Sequence, residues 1–130
     1  MMHPKHLEFL QAIITRMAGN SFQMKAWNVA LATAAVGFSA TKDSHPTAAV
    51  LAAVPSLAFW CLDAYYLGLE RIYRDLYNGA VAGTVAPFDL RPAALGFGGW
   101  VEMVWRPAVV GLHLPMIAVI LLVSLTNFAR

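Results

Sequence analysis

Between Leu51 and Leu67 the chain carries a single charged residue, Asp63, in a run otherwise too apolar for an ordinary soluble helix. A carboxylate at such a place costs about 2.5–3.5 kcal/mol on insertion scales, so it needs a partner or a role. The sequence offers a partner. If Thr41 to Pro46 makes a tight turn between two helices, the hairpin centre falls near Ser44, and Lys25 and Asp63 are equidistant from it along the chain. They would then face one another at matching depth. Composition agrees with lipid as the surrounding solvent: 59% of residues are hydrophobic and only 12% charged, with mean hydropathy +0.60. A soluble domain of this size carries about 25% charged residues. The alternative, a soluble helical bundle, would have to hide its long apolar segments with too few charges left to cover them.

These features predict an all-α membrane protein, a single membrane domain over 1–130 with three transmembrane helices at about 22–40, 47–67 and 107–127. The first is short and reaches the ~20 residues a bilayer needs only by borrowing Asn20 to Met24. The third ends in the most hydrophobic stretch of the chain, Met116 to Leu125. Positive charges set the orientation. Lys5, Arg16 and Lys25 precede the first span, and Arg71, Arg74, Arg91 and Arg106 lie between the second and third. Lys42 and Arg130 stand on the other side. The expected location is a bacterial inner membrane with the N-terminus cytoplasmic and the C-terminus periplasmic. Trp27, Trp60, Tyr65, Tyr66 and Trp105 would lie near the cytoplasmic interface. The stretch Met1 to Met17 does not read as a signal peptide, because Glu8 and Gln11 interrupt it and no small-residue cleavage site follows.

Outside the spans, Pro4 to Ala18 reads as an amphipathic helix (about 4–18). Leu7, Leu10, Ile14 and Met17 recur at 3-4-3 spacing, Pro4 suits the first turn, and Gly19-Asn20 offers a stop and restart. It either lies on the inner leaflet, docks on a partner, or packs on the helix that follows span two. Residues 68–78 should continue span two into the cytoplasm, with Glu70/Arg74 and Arg71/Asp75 as ion pairs four apart and Gly79 as the stop. The Gly- and Pro-rich segment 79–104 is expected to be a cytoplasmic loop without helix over Gly79 to Gly99. Its Leu95-Gly96-Phe97-Gly98-Gly99-Trp100 piece lacks the Lys and Ser/Thr of a phosphate loop.

Candidate functional residues are few. Lys25, Asn28, Ala32, Ala35 and Ser39 form one helical stripe, and Ala49, Ala53, Ser56, Trp60 and Asp63 form another. Small and polar faces let membrane helices approach closely and hydrogen-bond, so Lys25 and Asp63 read as a structural ion pair within the membrane, with Asn28, Ser39 and Ser56 on polar helix faces. The same stripes would line a pore or proton path if they met between protomers. Pro55 frees a backbone carbonyl in mid-span and fits either arrangement. His113, between Gly111 and Pro115, is a candidate intramembrane functional or ligand residue: it can hydrogen-bond across helices, relay protons, or ligate a metalloporphyrin or a chlorophyll magnesium. No second ligand is spaced with it, so no metal site and no cofactor is expected. Cys61 has no partner for a disulfide. Hydrolase motifs are absent and Glu102 is a lone juxtamembrane carboxylate, so the chain is read as no enzyme. A net charge of +2 without a basic run gives no reason to expect nucleic acid.

The segments His6-Leu7-Glu8-Phe9-Leu10-Gln11 and Ile14-Thr15-Arg16-Met17-Ala18-Gly19-Asn20-Ser21-Phe22 resemble a widespread family of small uncharacterised bacterial membrane proteins. The likeness continues through Phe59-Trp60-Cys61-Leu62-Asp63-Ala64-Tyr65-Tyr66-Leu67 and Glu70-Arg71 to Tyr77. In layout the chain is also similar to SLATT-type two-helix effectors and to membrane accessory proteins of type VI CRISPR systems. The resemblance implies an oligomeric pore or an agent that damages the inner membrane in phage defence, and it implies no catalytic residues. The leading expectation is therefore a non-enzymatic, homo-oligomeric pore-forming or membrane-perturbing effector whose partner is the lipid bilayer. The alternative is an accessory or structural subunit of a larger respiratory or photosynthetic membrane complex.

Overall fold

The structure, a computed structural model, describes residues 2–41 and 45–129. It contains four helices and, among the described residues, no strand: α1 (Pro4–Ser39), α2 (Pro46–Ala82), α3 (Phe97–Val104) and α4 (Pro107–Phe128). Each long helix opens with proline at its first position, where the missing N–H costs nothing and the fixed φ suits helical entry. Side-chain pairs fix the arrangement. Asn28 meets Ser56 and Lys25 meets Asp63, so α2 runs antiparallel to α1. Asn28 also meets His113, and Ser39 meets Asn127, so α4 runs parallel to α1. The result is a three-helix bundle, with α3 packed on α2 where the chain turns back into α4.

Two helices, not three, are long and apolar enough by composition to cross a membrane: the Val50–Ala82 part of α2, and α4. The expected first span falls short because Gln23, Lys25 and Asn28 dilute it. The break expected at Gly19-Asn20 does not occur either. Helix α1 runs through both residues, so the amphipathic segment and the expected span are one rod of about 54 Å. Its Leu10 and Ile14 are buried and Leu7, Ile13 and Met17 half-buried, along the face that packs on α2. Lys42 and the centre of the first turn, together with Arg130 and the Ala49 side chain, lie outside the described residues.

Helix α2 passes Gly79, the expected stop, and ends at Gly83, whose φ of 74° is left-handed and closes the helix with the Thr84 N–H on the Gly79 carbonyl at 2.9 Å. Gly79 serves a different purpose. A Cβ there would stand 2.8 Å from Val85 Cγ2, so its absence lets the departing chain fold back on the helix. The loop is then tied down at two points. The Asp89 carbonyl bonds His6 Nε2 at 2.9 Å, and Leu95 sits on Gly68, where a Cβ would come within 2.7 Å of it. The guanidinium of Arg91 holds the exposed Asp89 carboxyl below the usual carboxylate range.

The Gly/Pro-rich segment was expected to hold no helix, yet α3 begins inside it at Phe97. Two glycines in its first turn are outweighed by the burial of Met103 and the packing of Trp100. The core joins Trp60, Ala64, Met103, Val109 and Ile117, from α2, α3 and α4. Trp60 belongs to this core and is buried among the helices. Its indole N–H donates to the Val104 carbonyl at 3.0 Å, and its ring lies parallel to His113 and edge-on to Trp105. Trp27, Tyr65 and Trp105 are exposed.

Candidate functional site: a buried polar network

Three helices each contribute polar residues to one point in the bundle. From α1 come Ser21, Lys25 and Asn28, at four- and three-residue steps on one face; from α2 come Ser56 and Asp63; from α4 comes His113. Lys25 Nζ lies 2.7 Å from Asp63 Oδ2 and 2.8 Å from Oδ1, and also donates to Ser21 Oγ at 3.0 Å. The Ser21 hydroxyl donates to Asp63 Oδ1. On the far side, His113 Nε2 stands 2.8 Å from Asp63 Oδ2 and its Nδ1 stands 2.6 Å from Asn28 Nδ2. Ser56 Oγ completes the chain by donating to Asn28 Oδ1 at 2.6 Å.

With Asp63 ionised and the Asn28 amide nitrogen toward the ring, the proton positions follow. A carboxylate can only accept, so His113 carries its proton on Nε2 and offers Nδ1 as an acceptor. The Asn28 amide N–H donates to that nitrogen, which leaves its carbonyl oxygen for the Ser56 hydroxyl. Every donor in the sequence Ser56, Asn28, His113 points toward Asp63. From the other side Lys25 and Ser21 do the same, so one negative charge is held by converging donors. Among the described residues no buried side-chain nitrogen or oxygen lacks a partner.

The network is graded in exposure. The Lys25 side chain is 21% exposed and those of Asp63 and His113 are 0% exposed. Asn28 and Ser56 are buried as deeply. His113 lies roughly 9 Å along α4 from Pro107, and the partly exposed ammonium of Lys25 marks the open end of the network.

The expected pair Lys25/Asp63, with Asn28 and Ser56, thus meets His113, which the sequence treated as isolated. Ser39 does not join. It is buried near the other end of α1, its hydroxyl donates to the Ala35 carbonyl at 2.8 Å, and its own carbonyl accepts from Asn127. Ser21 was missed, although it precedes Lys25 by one helical turn and extends the same stripe. Glu102 is not alone either: it accepts from Arg71 at 2.9 Å, which takes Arg71 away from the expected pairing with Asp75, while Glu70 and Arg74 do pair, at 2.7 Å.

This arrangement limits what His113 can do. Both ring nitrogens are engaged, so service as an axial ligand would break its bond to Asp63 or to Asn28. Among the described residues no group of three or more His, Cys, Asp or Glu is placed to hold a metal ion. The Asp63–His113 pair is not a hydrolytic relay as it stands, because an amide and not a hydroxyl meets the second ring nitrogen. The chain matches no protein-family model, no curated protein and no solved structure.

Proposed function

We infer that the chain is a non-enzymatic membrane protein that crosses a bilayer three times and acts as a structural or accessory subunit of a larger membrane assembly. The carrying observation is the direction in which polar groups face. Lys25, Asn28, Ser56, Asp63 and His113 turn inward onto one another, while Phe22, Trp27, Phe38, Leu51, Val54, Leu122 and Leu125 are exposed. An apolar exterior over a polar interior suits lipid or the apolar faces of neighbouring helices. It also accounts for part of the dilution of α1, since Lys25 and Asn28 turn onto the network while Gln23 is exposed. Helix α1 lies beside α2 through the depth of the network, and this supports a third crossing. The distribution of Lys and Arg supports a cytoplasmic N-terminus and a periplasmic C-terminus, and the resemblance to small bacterial proteins supports the inner membrane.

A pore built from this chain alone needs polar faces that meet between protomers. Here the stripes of α1 and α2 face each other within one protomer, which favours the accessory role. Extraction from membranes in mild detergent, followed by purification and imaging, is expected to return unlike subunits in fixed ratio with this chain. A symmetric ring of this chain alone, with ion flux through liposomes that contain it, would replace the accessory reading with a pore. Recovery of the protein from the aqueous fraction without detergent would end the membrane reading itself.

A further inference from the structure

A second polar feature stands apart from the buried network, at the end of the bundle where α2 leaves its apolar run and α4 begins. An open cleft of about 330 Å³ is lined by the apolar Leu67, Met103 and Ala108, by Arg71, Arg74 and Arg106, and by Glu70. The charges there do not cancel. Arg74 is matched by Glu70. Glu102, however, serves two guanidiniums: it bonds Arg71 at 2.9 Å and lies 3.6 Å from Arg106, beyond hydrogen-bond range. Arg106 thus shares Glu102 as a loose ion pair without a hydrogen bond to it, and its side chain is 42% exposed. Ala108, in the first turn of α4, lines the same cleft, so the positive end of that helix dipole adds to the field.

Three guanidiniums against two carboxylates leave a net positive charge beside apolar side chains, which fits an amphiphile with a negative head better than a free ion, since a free ion would have no use for Leu67 and Ala108. The cleft's level agrees. The apolar run of α2 closes at Leu67, that of α4 opens at Pro107, and the indole of Trp105 beside it is exposed, as at a headgroup boundary. We propose that this cleft binds a lipid with an anionic phosphate headgroup, the phosphodiester held by Arg106 and Arg71 and an acyl chain leaving over Leu67 and Ala108 between α2 and α4. The proposal rests on the membrane reading above.

The test uses the full chain purified in a neutral detergent, with phosphatidylglycerol, phosphatidylcholine of the same acyl chains, and inorganic phosphate as probes. Retention is read by native mass spectrometry and stabilisation by thermal unfolding. Phosphatidylglycerol is expected to be retained and to raise the melting temperature, with phosphatidylcholine and inorganic phosphate doing neither. Arg106→Gln should weaken phosphatidylglycerol retention about tenfold, the usual scale for one charge-assisted bond. Arg16→Gln, which removes an exposed arginine far along α1, should leave retention unchanged. If Arg106→Gln does not fold, Arg71→Gln carries the same comparison. Equal retention of the two lipids overturns the proposal, as does equal loss in the Arg16 variant. Stabilisation by inorganic phosphate to the same degree also overturns it, because the site would then take a free anion. A chain that leaves washed membranes without detergent loses the membrane reading; one that stays there without preferring phosphatidylglycerol loses this proposal alone.

Discussion

At the scale of single residues, the asymmetry between Lys25 and Asp63 decides how the pair responds to change. Asp63 has no exposed surface, whereas Lys25 can turn its ammonium outward along a flexible stem. Lys25→Ala would leave a sealed-in carboxylate with only the donors of Ser21 and His113, and breaking a buried pair this way costs about 3–5 kcal/mol. Asp63→Ala should cost less. The double variant Lys25→Ala/Asp63→Ala should accumulate in membranes better than Lys25→Ala alone, because no buried charge is stranded. Fluorescence of a folding-reporter fusion, checked by size exclusion in detergent, measures the order. A double variant that fares no better than Lys25→Ala would show that the two charges are not coupled. The pair itself was legible in the sequence, since two charges equidistant from a turn must approach if the helices do. His113 was not. Its meeting with Asp63 depends on how far α4 is carried along the bundle by α3 and the loop, and no spacing in the chain records that distance.

At the scale of elements, local signals and packing divide the work. Proline begins each long helix and Gly83 ends α2, as backbone chemistry requires. Pro55 lies inside α2, Pro115 inside α4 and Gly19 inside α1, and all three helices continue through them, because neighbouring helices hold the rods together. Gly68 is a packing glycine of α2, with Leu95 methyl carbons 2.7 and 2.9 Å from where its Cβ would be. Gly68→Ala would push those methyls, the movable end of a flexible side chain, off the helix, so thermal stability in detergent should fall by no more than about 1 kcal/mol. Leu95→Ala opens room at the same point, so Gly68→Ala should be far milder in that background. A full effect of Gly68→Ala with Leu95 already truncated would mean that the loop does not rest there.

At the scale of the whole molecule, α1 and α2 are about 54–56 Å long against a hydrocarbon layer of ~30 Å, so a hairpin that crosses a bilayer, as proposed, would extend well beyond it on one side. That side holds the His6–Asp89 tie, α3 and the arginine cleft. The opposite end brings Ser39 beside Asn127. With Cys61 changed to Ser, single cysteines placed at Thr41 and Asn127 should react with a membrane-impermeant thiol reagent on intact cells. Cysteines at Tyr77 and Asp89 should react only after permeabilisation. Labelling of positions 41 and 77 from the same face would rule out a hairpin that crosses the bilayer.

The sequence by itself determined that the chain is helical, that it carries more apolar surface than its charges can cover, and that Lys25 and Asp63 are in register across a hairpin. These follow from periodicity and from the cost of an unpaired charge in an apolar run, both local properties. The tertiary structure alone decided that Trp60 is core, that α3 forms in a glycine-rich segment, that Glu102 joins Arg71 and Arg106, and that His113 and Asn28 complete the shell around one carboxylate. Those outcomes depend on which surfaces are brought together over long sequence separations, where burial and hydrogen-bond satisfaction outweigh the preference of any single residue.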